Sequence, residues 1–116
     1  MRILIAEDDQ VLADGLLRTL RASGAAVDHV ASGSEADAAL MTTDEFDLLI
    51  LDLGLPKMHG LEVLKRMRAR GSAVPVIILT AFGAPEYRVR SLAHGAFSCV
   101  NKPYSLSCLG FCPTML

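Results

Sequence analysis

Three observations predict an α/β domain in which a parallel sheet is covered by helices. The chain carries short, wholly apolar runs, Leu48–Leu51 and Val76–Leu79 among them. A run that apolar and that brief suits a strand buried on both faces, as in a covered parallel sheet. Such runs alternate with segments of helical periodicity, the pattern of βαβ units. Finally, residues able to do chemistry stand directly after the runs: Glu7-Asp8-Asp9, Asp52, Thr80 and Lys102-Pro103. Their place is the carboxyl edge, where open α/β sheets put their ligands.

In chain order, Ile3–Ala6 is the first strand, and a helix from Val11 to Ala22 follows. Its Leu12, Leu16, Leu17 and Leu20 share one face, Arg18 and Arg21 lie outside, and Gly24 ends it. A short strand spans Val27 to Val30. The second helix runs from Ser34 to Met41, with Ser34 as N-cap and Glu35 and Asp37 favourable in its first turn. Leu48–Leu51 is the third strand, closed by Asp52 and the turn-like Leu53-Gly54-Leu55-Pro56. The third helix lies over Gly60–Ala69, with Leu61, Leu64 and Met67 as its stripe and Gly71 as its stop. Val76–Leu79 is the fourth strand. Pro85 suits the first turn of a helix to His94, and Phe97–Val100 completes the set.

Length and composition fit one domain. The chain has 116 residues, 52% of them hydrophobic and 21% charged, with a net charge of −2. A slightly acidic balance argues against direct DNA binding by this chain alone. No uncharged stretch reaches the roughly 20 residues of a membrane span, and the N-terminus runs straight into a strand, so no membrane association and a cytoplasmic location are expected. Cys99, Cys108 and Cys112 form an odd set without a Cys-x-x-Cys pair, which favours neither a disulfide framework nor zinc. No glycine-rich loop follows the first strand, and the acids there would repel a nucleotide phosphate.

If the first and third strands are neighbours, three or four carboxylates converge. Like charges about 4 Å apart repel by roughly 4 kcal/mol at an effective dielectric near 20. Such a cluster implies a cation or a function. A carboxylate can accept a phosphoryl group when the developing charge is neutralised and the oxygens are held in line. Mg²⁺ suits the part, since it takes a few carboxylate oxygens and keeps several waters.

The order of EDD, LDLGLP, LTA and NKP resembles the receiver domain of two-component response regulators, especially receivers that precede a winged-helix (OmpR/PhoB-like) DNA-binding domain. The resemblance implies a flavodoxin-like, doubly wound sheet of five parallel strands in the order 2-1-3-4-5. It also implies phosphorylation of Asp52 by a sensor histidine kinase, switching a partner or output surface in transcription regulation. Asp8 would bind Mg²⁺ directly and Glu7 through water, with Asp52 and the Gly54 carbonyl completing the protein ligands. Lys102 would pair with a phosphoryl oxygen, Thr80 would turn its hydroxyl toward it, and Asp9 would be a flanking surface acid.

Three departures stand out. His59 occupies a place where many receivers have Asp. Cys99 occupies the switch position, where receivers carry Tyr or Phe. The segment Ser105–Leu116 has no charged side chain, unlike an amphipathic last helix. Residues 1–104 therefore read as the receiver domain and 105–116 as an atypical remnant of a short last helix. Its exposed apolar groups favour a homodimer or larger assembly. A receiver that folds without switching is one alternative. An aspartyl-phosphate phosphatase is another, disfavoured because the haloacid-dehalogenase type needs Asp-x-Asp and Gly54 stands at the second position.

Overall fold

A computed structural model describes residues 1–43, 45–80 and 85–101. The expected Lys102 and the atypical segment 105–116 lie outside them. The elements are β1 (Arg2–Ala6), α1 (Gln10–Ala22), β2 (Ala26–Val30), α2 (Gly33–Thr42), β3 (Leu48–Asp52), α3 (Gly60–Ala69), β4 (Val76–Thr80), α4 (Pro85–Ala93) and β5 (Ser98–Asn101). All strand pairs are parallel, in the order β2-β1-β3-β4-β5. The doubly wound arrangement expected from the sequence is the one found.

Both central strands explain their own composition. Every residue of β3 and β4 is buried, so the alternation between sheet faces carries apolar groups to both sides. Leu49, Leu51, Val76 and Ile78 meet Leu40 of α2 and Leu61, Leu64 and Met67 of α3 in one core cluster. Leu48, Ile50, Ile77 and Leu79 face the other way and pack with Leu16 and Leu20 of α1. Each such side chain contributes about 1.5–3 kcal/mol when buried.

The helix ends follow local chemistry. Gly24 (φ 95) closes α1 and Gly71 (φ 87) closes α3, each taking the left-handed conformation that a side chain disfavours. At α1 the Gly24 N–H reaches the Arg21 carbonyl and the Ala25 N–H the Leu20 carbonyl, satisfying two carbonyls at the end of the helix. One expected cap moves. Ser32, not Ser34, caps α2: its Oγ accepts from the Glu35 N–H at 3.2 Å and donates to Glu35 Oε1 at 3.0 Å. The spacing Ser32-x-x-Glu35 satisfies both ends of that exchange, and a cap at Ser34 would leave Glu35 beside it with no such geometry.

Candidate metal centre

The register places the acids before any side chain is considered. Ala6 of β1 pairs with Leu51 of β3, so Glu7 and Asp52 leave adjacent strands at one level. Carboxylate oxygens of Glu7, Asp8 and Asp52 all lie within 4.8 Å of one another. Glu7 is fully buried and Asp52 is 4% exposed, whereas Asp8 faces solvent. Thr80, also buried, ends β4 on the other side of β3, where Asp52 pairs with Leu79. Glu7, Asp8, Asp52 and Thr80 are thus brought to one edge.

The backbone around Asp52 is held tightly. The Gly54 N–H donates to Asp52 Oδ1 at 3.1 Å, which restrains the carboxylate's rotation. The Leu53 N–H donates to the Leu79 carbonyl at 3.0 Å, and the Gly60 N–H to the Leu53 carbonyl at 3.0 Å. Gly60 opens α3 against this backbone: a Cβ there would overlap the Asp52 carbonyl oxygen and lie 2.7 Å from Leu53 Cα. On the β1 side, His29 Nε2 donates to the Glu7 carbonyl at 2.7 Å, tying the end of β2 to the acids.

Two residues have a local task that the sequence reading did not assign. Asp9 is the N-cap of α1, its side chain accepting from the Val11 and Leu12 N–H groups at 3.0 and 3.2 Å. The signal was an Asp just before the first helical turn. His59 caps α3 in the same way, Nδ1 accepting from the Leu61 N–H at 3.1 Å. This bond requires Nδ1 to carry no proton, so the departure from Asp keeps the acceptor but adds a tautomer requirement.

The donor set suits a hard divalent cation. All three groups offer oxygen, and about 2.1 Å metal–oxygen bonds place neighbouring Mg²⁺ ligands roughly 3–4 Å apart, within side-chain rotation of the observed spacing. The exposure of Asp8 leaves one side of the cluster open to water. Gly54 follows Asp52 by two residues, which puts its carbonyl in the same loop. A surface groove of about 520 Å³ bounded by Leu40, Met41, Arg70 and Val74 lies at the opposite edge.

Comparison with known proteins now decides the family. Residues 3–109 match the model of the response regulator receiver domain. The chain belongs to that family. It is 47% identical over 106 residues to the response regulator protein PmrA of Pseudomonas aeruginosa and 44% identical over 107 residues to the transcriptional regulatory protein QseB of Haemophilus influenzae. These alignments cover 91% and 92% of this chain but 48% of each relative, so the chain spans about half the length of the curated relatives it matches. The crystallised chemotaxis protein CheY4 of Vibrio cholerae superposes with a TM-score of 0.82 at 29% identity, covering 93% of this chain and 91% of that one. Among the described residues no helix is long and apolar enough to cross a membrane.

Proposed function

We propose that this receiver domain accepts a phosphoryl group on Asp52 from a sensor histidine kinase and thereby changes the surface it offers a partner. The observation that carries the reading is the meeting of Glu7, Asp8 and Asp52 within 4.8 Å at the ends of neighbouring strands, beside the buried Thr80. In the reaction an Asp52 oxygen forms a bond to phosphorus as the bond to the donor's leaving atom breaks, and the leaving atom keeps the electron pair. Asp8 and Asp52, with the Gly54 carbonyl and with Glu7 through water, would hold Mg²⁺. When bound, the metal neutralises charge on the acids and on the transferring phosphoryl oxygens.

The remaining residues act around that bond. The Gly54 N–H orients the Asp52 carboxylate. Thr80 reads the phosphoryl group with its hydroxyl, and Lys102 pairs with one of its oxygens. Cys99 lies in β5 opposite Ile78, at the switch position where receivers carry an aromatic ring. This chemistry makes the chain a signalling module rather than an enzyme with its own turnover.

Transcription regulation is the output we propose for the whole protein, in line with the curated relatives. This chain alone, with its net charge of −2, does not bind DNA directly, and the uncharged segment 105–116 favours a homodimer or larger assembly. Intact mass after incubation with acetyl phosphate and Mg²⁺ tests the reading. One stable phosphoryl adduct per chain is expected. Absence of an adduct would favour a degenerate receiver, and continuous phosphate release would favour a phosphatase.

A further inference from the structure

The loop after Asp52 doubles back at Pro56–Met58. The Met58 N–H donates to the Pro56 carbonyl at 2.8 Å, across Lys57 at φ 69. A hydrogen bond from residue i+2 to residue i around a positive φ defines a γ-turn of the rare, strained hand. A conformation of this kind persists only where its surroundings impose it.

Gly33, the first residue of α2, supplies those surroundings. Its N–H donates to the same Pro56 carbonyl at 3.1 Å. Its Cα lies so close to the turn that a Cβ would overlap the Met58 carbonyl oxygen and stand 2.6 Å from the Met58 carbonyl carbon. Its φ lies outside the left-handed region, so glycine is needed here for space and not for backbone freedom. From the turn back to Asp52 the path is short. Leu55 is anchored in the core, and the Gly54 N–H is bonded to the Asp52 carboxylate.

We infer that Gly33 is a positioning residue for the phosphoryl and metal site, although 19 positions separate it from Asp52 in the chain. Its bare Cα sets where the Pro56–Met58 turn sits, and the turn sets where the Gly54 carbonyl and the Asp52 carboxylate point. The inference rests on the reading of the site proposed above. It also makes the start of α2 and the loop after Asp52 one mechanical unit.

The test compares the full chain with Gly33→Ala and with the double variant Gly33→Ala, Lys57→Gly. Gly33→Ala should fold cooperatively yet form the acetyl phosphate adduct about ten to a hundred times more slowly, with a raised half-saturating Mg²⁺ concentration, since a shift near 1 Å at a reacting group has effects of this order. Lys57→Gly lets the turn move away from the new side chain without dragging Asp52, so the double variant should recover part of the rate. A folded Gly33→Ala chain with parental rate and Mg²⁺ response would overturn the inference, as would a slow double variant with no recovery. If Gly33→Ala fails to fold, the parent decides: in an amide NMR titration with Mg²⁺, Gly33 and Gly54 should shift with the same half-saturation. A Gly33 amide unmoved while Gly54 shifts would overturn it. A parent that neither binds Mg²⁺ nor accepts a phosphoryl group would remove the site reading itself, and this inference with it.

Discussion

The two edges of the sheet arrange their carboxylates differently. At the amino edge, acids meet a cation: the Arg2 guanidinium contacts Asp28 at 2.9 Å and Glu45 at 2.6 Å, and lies 4.7 Å from the Phe46 ring centre. The Arg2 backbone N–H adds a bond to Asp47 at 2.8 Å. At the carboxyl edge, Glu7, Asp8 and Asp52 are gathered within 4.8 Å of one another, two of them buried. The first edge stitches β1 to β2 and to the segment before β3. The second draws acids from the ends of two neighbouring strands to one point. Acids drawn together at the carboxyl edge of a parallel sheet are the mark of a site.

The largest expected effect separates the edges by chemistry. Asp52→Asn should abolish the phosphoryl adduct, because an amide is a very poor nucleophile toward phosphorus, while Asp28→Asn at the amino edge should leave it intact. Intact mass of both variants checks this, and a persistent adduct in Asp52→Asn would break the comparison. Thr80→Ala should still form the adduct but respond to it less, as judged by phosphorylation-dependent amide shifts away from the site. Equal loss of adduct in Thr80→Ala and Asp52→Asn would contradict the division of roles.

A smaller effect separates the edges by metal. Mg²⁺ at tenfold its dissociation constant should stabilise the chain by about 1.4 kcal/mol, which raises Tm by about 6 °C for a domain of this size. Chelation should reverse the shift. Asp8→Asn should blunt it, whereas Asp28→Asn should not, and scanning calorimetry distinguishes the two.

The smallest effect concerns sign. Without metal, Asp8→Asn relieves repulsion and should stabilise the fold by up to about 1 kcal/mol, the exposure of Asp8 screening the rest. Asp28→Asn removes a partner of Arg2 and should lower Tm. The hydrogen bond to Asp28 is the main reason the Arg2 guanidinium titrates above its usual value. A raised basic group stabilises the fold at every pH below its unfolded value and ceases to do so only as pH rises through the folded one. The Arg2 contribution should therefore be flat across neutral pH. Chemical denaturation at pH 6, 7 and 8 checks both signs.

Much of this fold was legible because burial leaves a simple pattern. Leu48–Leu51 and Val76–Leu79 are apolar on both faces, and each lies within one residue of an observed strand. Gly24 and Gly71 marked two helix ends because the left-handed position strongly prefers glycine. Ser32 and Ser34 offer the same capping hydroxyl, and the choice falls to Ser32 through Glu35 and the packing of Gly33 on Met58. Nearness of Glu7 and Asp8 to Asp52 depends on strand order, a non-local property that local periodicity does not carry. The likeness of the motifs to receivers supplied it. Nothing in the local sequence announced the turn at Lys57, since positive φ is uncommon for lysine and arises here from tertiary contact.

The most direct measurement locates the phosphoryl group. The chain is incubated with acetyl phosphate with and without Mg²⁺, then reduced with borohydride, which converts an acyl phosphate to an alcohol, and its peptides are mapped by mass. The site built from Glu7, Asp8 and Asp52 requires the reduced residue at position 52, only in the sample containing Mg²⁺. Reduction at Asp8 or another acid, or equal labelling without the metal, would contradict it.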